Sequence, residues 1–255
     1  MVDFGRTADD YARHRAGFPD RFFDRLRQAG VAPTDGAGRA LDLGTGTGSL
    51  ARGLAHRGWQ VTGLDISLEM LAAARESSAA AGFAIDYRAG RAEATGLSAQ
   101  CFDLVAAGTC WHWFDRPAAA REARRLLRTG GWLVIAALDW SLEPNGVLDR
   151  MWQMIARHNP RWRELGGSGL QFDWAEELPA AGFTMQDRFQ FETAIAYSHE
   201  AWRGRARAST YVGASLPPDA IAAFDDEQGR LLAAPFPDAM LAVPHRVSAM
   251  VAGAE

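Results

Sequence analysis

The chain has 255 residues, 48% of them hydrophobic and 23% charged, a composition that excludes a disordered polymer and leaves enough apolar surface for a core without disulfides or metals. Its 27 basic and 31 acidic residues give a net charge of −4, so the basic excess of a nucleic-acid binder is missing. Every one of the 27 basic residues is arginine, which removes Schiff-base and P-loop lysine chemistry.

Residues 1–35 read as a polar, helical N-terminal segment in which Phe18, Phe22, Phe23 and Leu26 recur on one face. A Gly/Ala/Pro-rich break leads to a strand at Leu41–Leu43, a glycine-rich turn at Gly44–Gly48 and a helix over Ser49–Arg57. The pattern then predicts a strand at Trp59–Asp65 and a Ser-capped helix over Ser67–Ala81. Strands follow at Ala84–Ala89 and Phe102–Ala107, then a helix over Pro117–Leu127 stopped by Gly130–Gly131. Trp132–Leu138 is a fifth strand, as apolar as one covered on both faces should be. Such alternation predicts an α/β fold with a doubly wound, mostly parallel sheet.

After residue 140 the rhythm changes. Segments 141–182 and 198–236 read as helical insertions on the acceptor side, rich in Trp and Arg. Between and after them, 183–193 and 243–251 alternate in polarity and predict two final strands exposed on one face, as at an antiparallel edge. One domain over 1–255 is expected, with 39–140 as its ligand-binding core.

Cys101 and Cys110 form no disulfide framework and no metal-spaced cluster with the six histidines, so no metal is expected. Trp132–Leu138, the longest apolar run, is too short to cross a bilayer, and the N-terminus has no signal-peptide core. The expectation is a cytoplasmic protein with a small-molecule partner, with neither nucleic acid nor membrane, and with its oligomeric state open.

The run Asp42-Leu43-Gly44-Thr45-Gly46-Thr47-Gly48 carries the chemistry. Glycines there let the backbone turn tightly and approach a ligand, and the helix behind them offers unpaired N–H groups. Asp65 ends the second strand, where an acid accepts hydrogen bonds from ribose hydroxyls. A dinucleotide fingerprint, G-x-G-x-x-G, would need glycine at 49, where the chain has Ser49.

The G-x-G-x-G form, with Asp42 ahead of it, instead resembles the first motif of class I S-adenosylmethionine-dependent methyltransferases. Gly90-Arg91-Ala92-Glu93, Phe102-Asp103-Leu104-Val105 and Leu126 to Gly131 are similar to later motifs of that family. Tyr11, Arg15, Phe18-Pro19 and Trp111-His112-Trp113-Phe114 resemble its small-molecule branch, which includes trans-aconitate methyltransferase-like proteins. The resemblance implies a seven-stranded Rossmann-like sheet with an antiparallel last strand, a helical lid, and S-adenosyl-L-methionine as cofactor.

By the same resemblance, Gly44, Gly46 and Gly48 lie against the methionine end of the cofactor and Asp42 helps hold its ammonium group. Asp65 holds the ribose, while Ile66, Met70, Arg91 and Ala92 surround the adenine. Arg91 stands where relatives commonly carry an acid. Gly108 and Thr109 face the sulfonium, and Tyr11 and Arg15 form the lid, four residues apart on one helical face. His112 is the candidate general base, its ordinary pKa lying near neutrality, or a histidine that only shapes the site. The implied function is methyl transfer to a small molecule, on oxygen by preference, as in a secondary-metabolite pathway. Trp111, Trp113, Trp152, Trp162 and Trp174 are candidates for an aromatic acceptor cavity, and Arg15, Arg157, Arg161 or Arg163 for holding a carboxylate. The alternatives are an NAD(P)-dependent oxidoreductase and a nucleoside-binding module without turnover.

Overall fold

The computed structural model describes residues 8–33, 38–162, 170 and 172–255. Its chain order is α1 (Ala8–His14), α2 (Asp20–Gln28), β1 (Arg39–Leu43), α3 (Ser49–Ala55), β2 (Gln60–Asp65), α4 (Leu68–Ala80), β3 (Asp86–Ala89) and β4 (Phe102–Gly108). Then come α5 (Arg116–Leu126), β5 (Leu127–Trp140), α6 (Val147–His158), β6 (Phe183–Ser198), α7 (His199–Arg207), α8 (Pro218–Ala233) and β7 (Met240–Ala254). The seven strands form one sheet in the order β3-β2-β1-β4-β5-β7-β6. The pairs β1–β2, β1–β4, β2–β3 and β4–β5 are parallel, and the last strands are antiparallel. This is the doubly wound order that the alternation of elements predicts.

The chain divides into two compact units. One comprises residues 17–139, 168–191 and 247–255, the other 1–16, 140–167 and 192–246.

In the first unit, Leu41, Leu43, Leu104 and Val105 are wholly buried at the centre of the sheet. Burying each such side chain contributes roughly 1.5–3 kcal/mol, which fixes β1 and β4 as the middle of the sheet. Ser67 caps α4 by accepting from the Met70 N–H, and Asp115 caps α5 by accepting from Ala118 N–H. The Phe18–Leu26 stripe buries into this unit: Phe22 and Phe23 are inside, and Phe22 meets Phe18 at 4.4 Å and Phe189 at 6.2 Å between ring centres.

Three predicted boundaries differ. β5 starts at Leu127, before the glycines expected to precede it, because Leu127 pairs with Phe102 while Trp132 pairs with Leu104. The intervening residues bulge, and Gly130 takes φ +75°. β6 runs on to Ser198 and β7 spans Met240–Ala254, beyond the 183–193 and 243–251 expected. Of these two strands β6 alone is an edge; β7 lies between β5 and β6. Alternation at Val243, Val247, Ala249 and Val251 suggested one exposed face, but Ser248, Met250 and Ala252 are buried too, so both faces of β7 are covered there.

In the second unit, Trp202, Phe224, Val212, Leu232 and Val243 are wholly buried, and Met151, Met154 and Ile155 of α6 join them. α1 packs on α7: the Arg207 guanidinium donates to both carboxylate oxygens of Asp10 at 3.0 and 3.2 Å. His14 fills the notch left by Gly204, where a Cβ would come within 2.1 Å of its ring.

Candidate active site

The strand ends of the first unit gather the glycine turn and its two acids. Asp42 sits on β1 and is 1% exposed, accepting the Thr45 hydroxyl at 2.7 Å. Burial pushes its carboxyl up to about 7, opposed by hydrogen bonds from Thr45 and the Ala51 backbone and raised further by the charge of Asp65. Asp65 at the end of β2 accepts the Gly46 N–H at 2.8 Å on one oxygen and the Ser67 N–H at 2.9 Å on the other. A carboxylate has about four acceptor sites, so each oxygen keeps capacity for one further donor.

Two glycines show opposite reasons for being glycine. At Gly48 (φ +76°) a Cβ would lie 2.1 Å from the Tyr87 hydroxyl, so its demand is packing. At Gly46 (φ +54°) a Cβ would meet nothing within 4 Å, so the turn opens onto free space beside Asp65. Directly after Asp65, Ile66 is 72% and Leu68 is 64% exposed. Large apolar side chains left in water beside an open backbone turn are what a flat, partly apolar ligand would cover. Turn, acid and apolar cover together fit a nucleoside cofactor with a polar tail.

The other expected residues fall as follows. Met70 is 3% exposed in the core, and Ala92 is buried while the Arg91 side chain reaches outward toward Glu93 at 3.5 Å. Gly108 ends β4, where a Cβ would crowd Leu50 and Phe18. Thr109, next along, takes φ +60°, uncommon for a β-branched residue. Its N–H donates to Ala136 O at 2.7 Å and its hydroxyl accepts from Leu138 N–H at 3.2 Å. That strain sits at the mouth of β4, and nothing in the letters Gly-Thr-Cys announced it. His112 belongs to a 3₁₀ turn, Trp111–Trp113, with its ring 4.8 Å from that of Trp113.

The five tryptophans do different things. Trp111 is buried core, Trp113 is 48% exposed, and Trp174 lies under the Arg116 guanidinium at 5.0 Å. Trp152 packs with Trp162 at 4.8 Å in the second unit. Arg157 is paired with Glu227, Arg161 is exposed, and Arg163 lies outside the described residues. Of the remaining histidines, His56 caps the end of α3 and His158 pairs with Glu227 at 2.7 Å.

Tyr11 and Arg15 belong to the second unit, where the Arg15 guanidinium lies 4.7 Å from the centre of the Tyr11 ring. Sequence reading passed over Arg205, on α7, whose guanidinium lies 4.5 Å from the Trp140 ring centre. Among the described residues no group of His, Cys, Asp and Glu could hold a metal ion, and no helix is long and apolar enough to cross a membrane.

A parallel-sheet order with an open glycine turn and a strand-end acid defines a nucleoside-cofactor enzyme fold. A family model described as a methyltransferase domain matches residues 41–135. An uncharacterized methyltransferase of Schizosaccharomyces pombe is 31% identical over 196 residues, 75% of this chain and 72% of that protein. The malonyl-[acyl-carrier protein] O-methyltransferase of Pectobacterium atrosepticum is 35% identical over 159 residues, 60% of this chain and only 57% of that enzyme. Among solved structures, a Haemonchus contortus phosphoethanolamine N-methyltransferase, in complex with phosphomonomethylethanolamine and S-adenosylhomocysteine, has TM-score 0.57 at 19% identity. It aligns over 98% of this chain and 56% of that one. The chain belongs to the class I S-adenosylmethionine-dependent methyltransferases, and S-adenosyl-L-methionine is its cofactor.

Proposed function

We propose that the protein transfers the cofactor's methyl group to an oxygen of a small acceptor, a carboxylate or a natural-product intermediate. The observation that carries the acceptor class is the aromatic cluster of the second unit. Trp140 meets Trp152 at 5.7 Å and Tyr211 meets Trp152 at 4.8 Å; these half-buried rings sit on the wholly buried Trp202 and suit a small, partly aromatic molecule. Similarity to an enzyme named as an O-methyltransferase supports oxygen as the site of transfer.

S-Adenosylmethionine brings an already activated methyl group on a sulfonium, so the protein's work is alignment and exclusion of water. Asp65 uses its spare acceptor capacity for the ribose hydroxyls. Ile66, Met70 and Ala92 border the adenine, with Arg91 at its edge. Gly44, Gly46 and Gly48 bring backbone against the methionine end, where Asp42 balances the ammonium charge. Gly108 and Thr109 lie toward the sulfonium, and Tyr11 and Arg15 form the N-terminal cover. A carboxylate acceptor is ionised at neutral pH and loses no proton on attack, so it needs no base. A hydroxyl acceptor does, and His112 is the residue to serve it.

The test is to incubate the full chain with S-adenosylmethionine and a panel of small carboxylates, phenols, alcohols and amines, reading S-adenosylhomocysteine release and product mass. Base-labile methyl esters or methyl ethers are the expected products. Methylation confined to amines would overturn the reading.

A further inference from the structure

Helix α7 carries three arginines two residues apart, and they have different fates. Arg203 donates to Asp225 at 3.1 Å, and Arg207 donates to Asp225 at 2.7 Å and to Asp10 at 3.0 Å. Residues two apart on a helix point to nearly opposite sides, so Arg205 faces away from these carboxylates. Among the described residues neither Arg205 nor Arg15 makes an ion pair. The charge that bears most on Arg205 is the like charge of Arg15, and the other influences are the phenols of Tyr197, Tyr11 and Tyr211. Burial and Arg15 together pull the Arg205 guanidinium down to about 10, so it stays charged at neutral pH.

On β7, the titratable group that feels both guanidiniums is His245. The His245 ring is stacked on Tyr197 at 6.1 Å, and its Nδ1–H donates to Val243 O at 2.9 Å. Burial and the two arginines push His245 down to about 4, so it is neutral. Trp140 Nε1 is wholly buried with no hydrogen-bond partner, and the buried Tyr197 hydroxyl lies against the Arg205 guanidinium and the Ala16 backbone without reaching hydrogen-bond geometry to either. Buried polar groups are normally satisfied, and a buried cation without a counter-charge is costly. Two guanidiniums without an ion pair, a phenol hydroxyl beside one of them and an unpartnered indole N–H are the donor set of an oxyanion site.

We propose that Arg205, Arg15, Tyr197 and Trp140 form a binding site for a carboxylate, with the guanidiniums supplying charge and the aromatic rings flanking the group that carries it. This inference rests on the methyl-transfer reading above and names the chemistry of its acceptor. A carboxylate could come from that acceptor or from the amino-acid end of the cofactor, and the test separates the two.

Calorimetric titration of the full chain with benzoate, and with benzamide as its neutral counterpart, reads the site directly. Wild type is expected to bind benzoate at least tenfold tighter than benzamide. In Arg205→Met that ratio should fall to within twofold, and in Tyr197→Phe benzoate should weaken about threefold or more. Should Arg205→Met fail to fold, Tyr197→Phe and Arg15→Met carry the same comparison. Equal binding of benzoate and benzamide by wild type, or an unchanged ratio in the variants, overturns the proposal. A parallel titration uses S-adenosylhomocysteine and 5′-methylthioadenosine, which lacks the amino-acid end. Unchanged affinities for both in Arg205→Met assign the site to the acceptor. A tenfold loss for S-adenosylhomocysteine alone assigns it to the cofactor's own carboxylate. Selective benzoate binding in a protein that forms no methyl ester or ether leaves the site standing and sinks the oxygen-methylation reading.

Discussion

The two units treat their polar groups in opposite ways. In the first, Asp42 and Asp65 already hold hydrogen-bond partners from Thr45, Gly46 and Ser67, and what lies open is backbone and apolar surface. In the second, among the described residues, Arg205 has no ion-pair partner and Trp140 keeps a buried donor unused. The contrast shows two ways to prepare a site. A turn whose own polar atoms are satisfied holds its shape before the ligand comes, at no cost in unpaired charge. A cluster of unpaired donors holds a penalty that only the right anion relieves, which favours that anion over neutral look-alikes.

The largest effect should come from filling the open turn. Gly46→Val places a β-branched side chain at φ +54° in the space beside Asp65. The backbone strain amounts to about 1–3 kcal/mol, so the protein should still fold. Affinity for S-adenosylhomocysteine, followed by calorimetry, should fall by about 100-fold or more, since 100-fold corresponds to about 2.8 kcal/mol of lost contact. A variant that binds normally would mean that Gly46 opens onto solvent and not onto the cofactor.

A smaller loss is expected for Asp65→Ala. It removes acceptors from the Gly46 and Ser67 N–H groups as well as from the ribose. At about 1 kcal/mol net per hydrogen bond, cofactor affinity should drop roughly tenfold or more. Asp65→Asn, which keeps one acceptor oxygen, should fall between wild type and Ala. Equal affinity in all three proteins would remove Asp65 from the ribose.

Asp42 offers a test of how well satisfied the first unit is. Its carboxyl has an ordinary pKa of 3.8 and titrates near 7 in the fold. The folded state therefore holds the extra proton between those values, and stability without cofactor should fall as pH rises from about 4 to about 7. That contribution is on the order of 4 kcal/mol, and Asp42→Asn should flatten it. Melting temperatures at pH 5 and pH 8, with and without the substitution, measure it. The same fall in both proteins would show that Asp42 is not the group responsible.

How far these features could be read from the sequence follows from what defines them. The turn from Asp42 to Gly48 and the acid at Asp65 were legible because their geometry is set by neighbours along the chain: a strand, glycines, a helix start. Arg205 was not, because Arg203, Arg205 and Arg207 look alike in the sequence Trp-Arg-Gly-Arg-Ala-Arg. Their difference is a matter of helix phase and of where Asp10 and Asp225, distant in sequence, come to lie. The interior position of β7 was hidden for a related reason. Ser248 and Ala252 are small or polar enough to pass for a solvent face, and only the pairing of β7 between β5 and β6 buries them. The left-handed backbone of Thr109 left no trace either, since side-chain identity there argues against it.

The smallest expected effect concerns His112, and it sharpens the chemistry of the acceptor. A well-placed general base contributes typically 10²–10⁴-fold to a proton transfer. If the nucleophile is a carboxylate, as an anion site around Arg205 implies, no proton leaves during attack. His112→Ala should then lower turnover on a carboxylate acceptor by no more than about threefold, with S-adenosylhomocysteine affinity within twofold of wild type. With a phenol or alcohol acceptor the same substitution should cost about 100-fold or more, and the pH profile of kcat/KM should lose the ionisation of a general base. A loss of that size with a carboxylate acceptor would mean that the transfer needs proton removal after all. The electrostatics of the second unit would then have been matched to the wrong functional group.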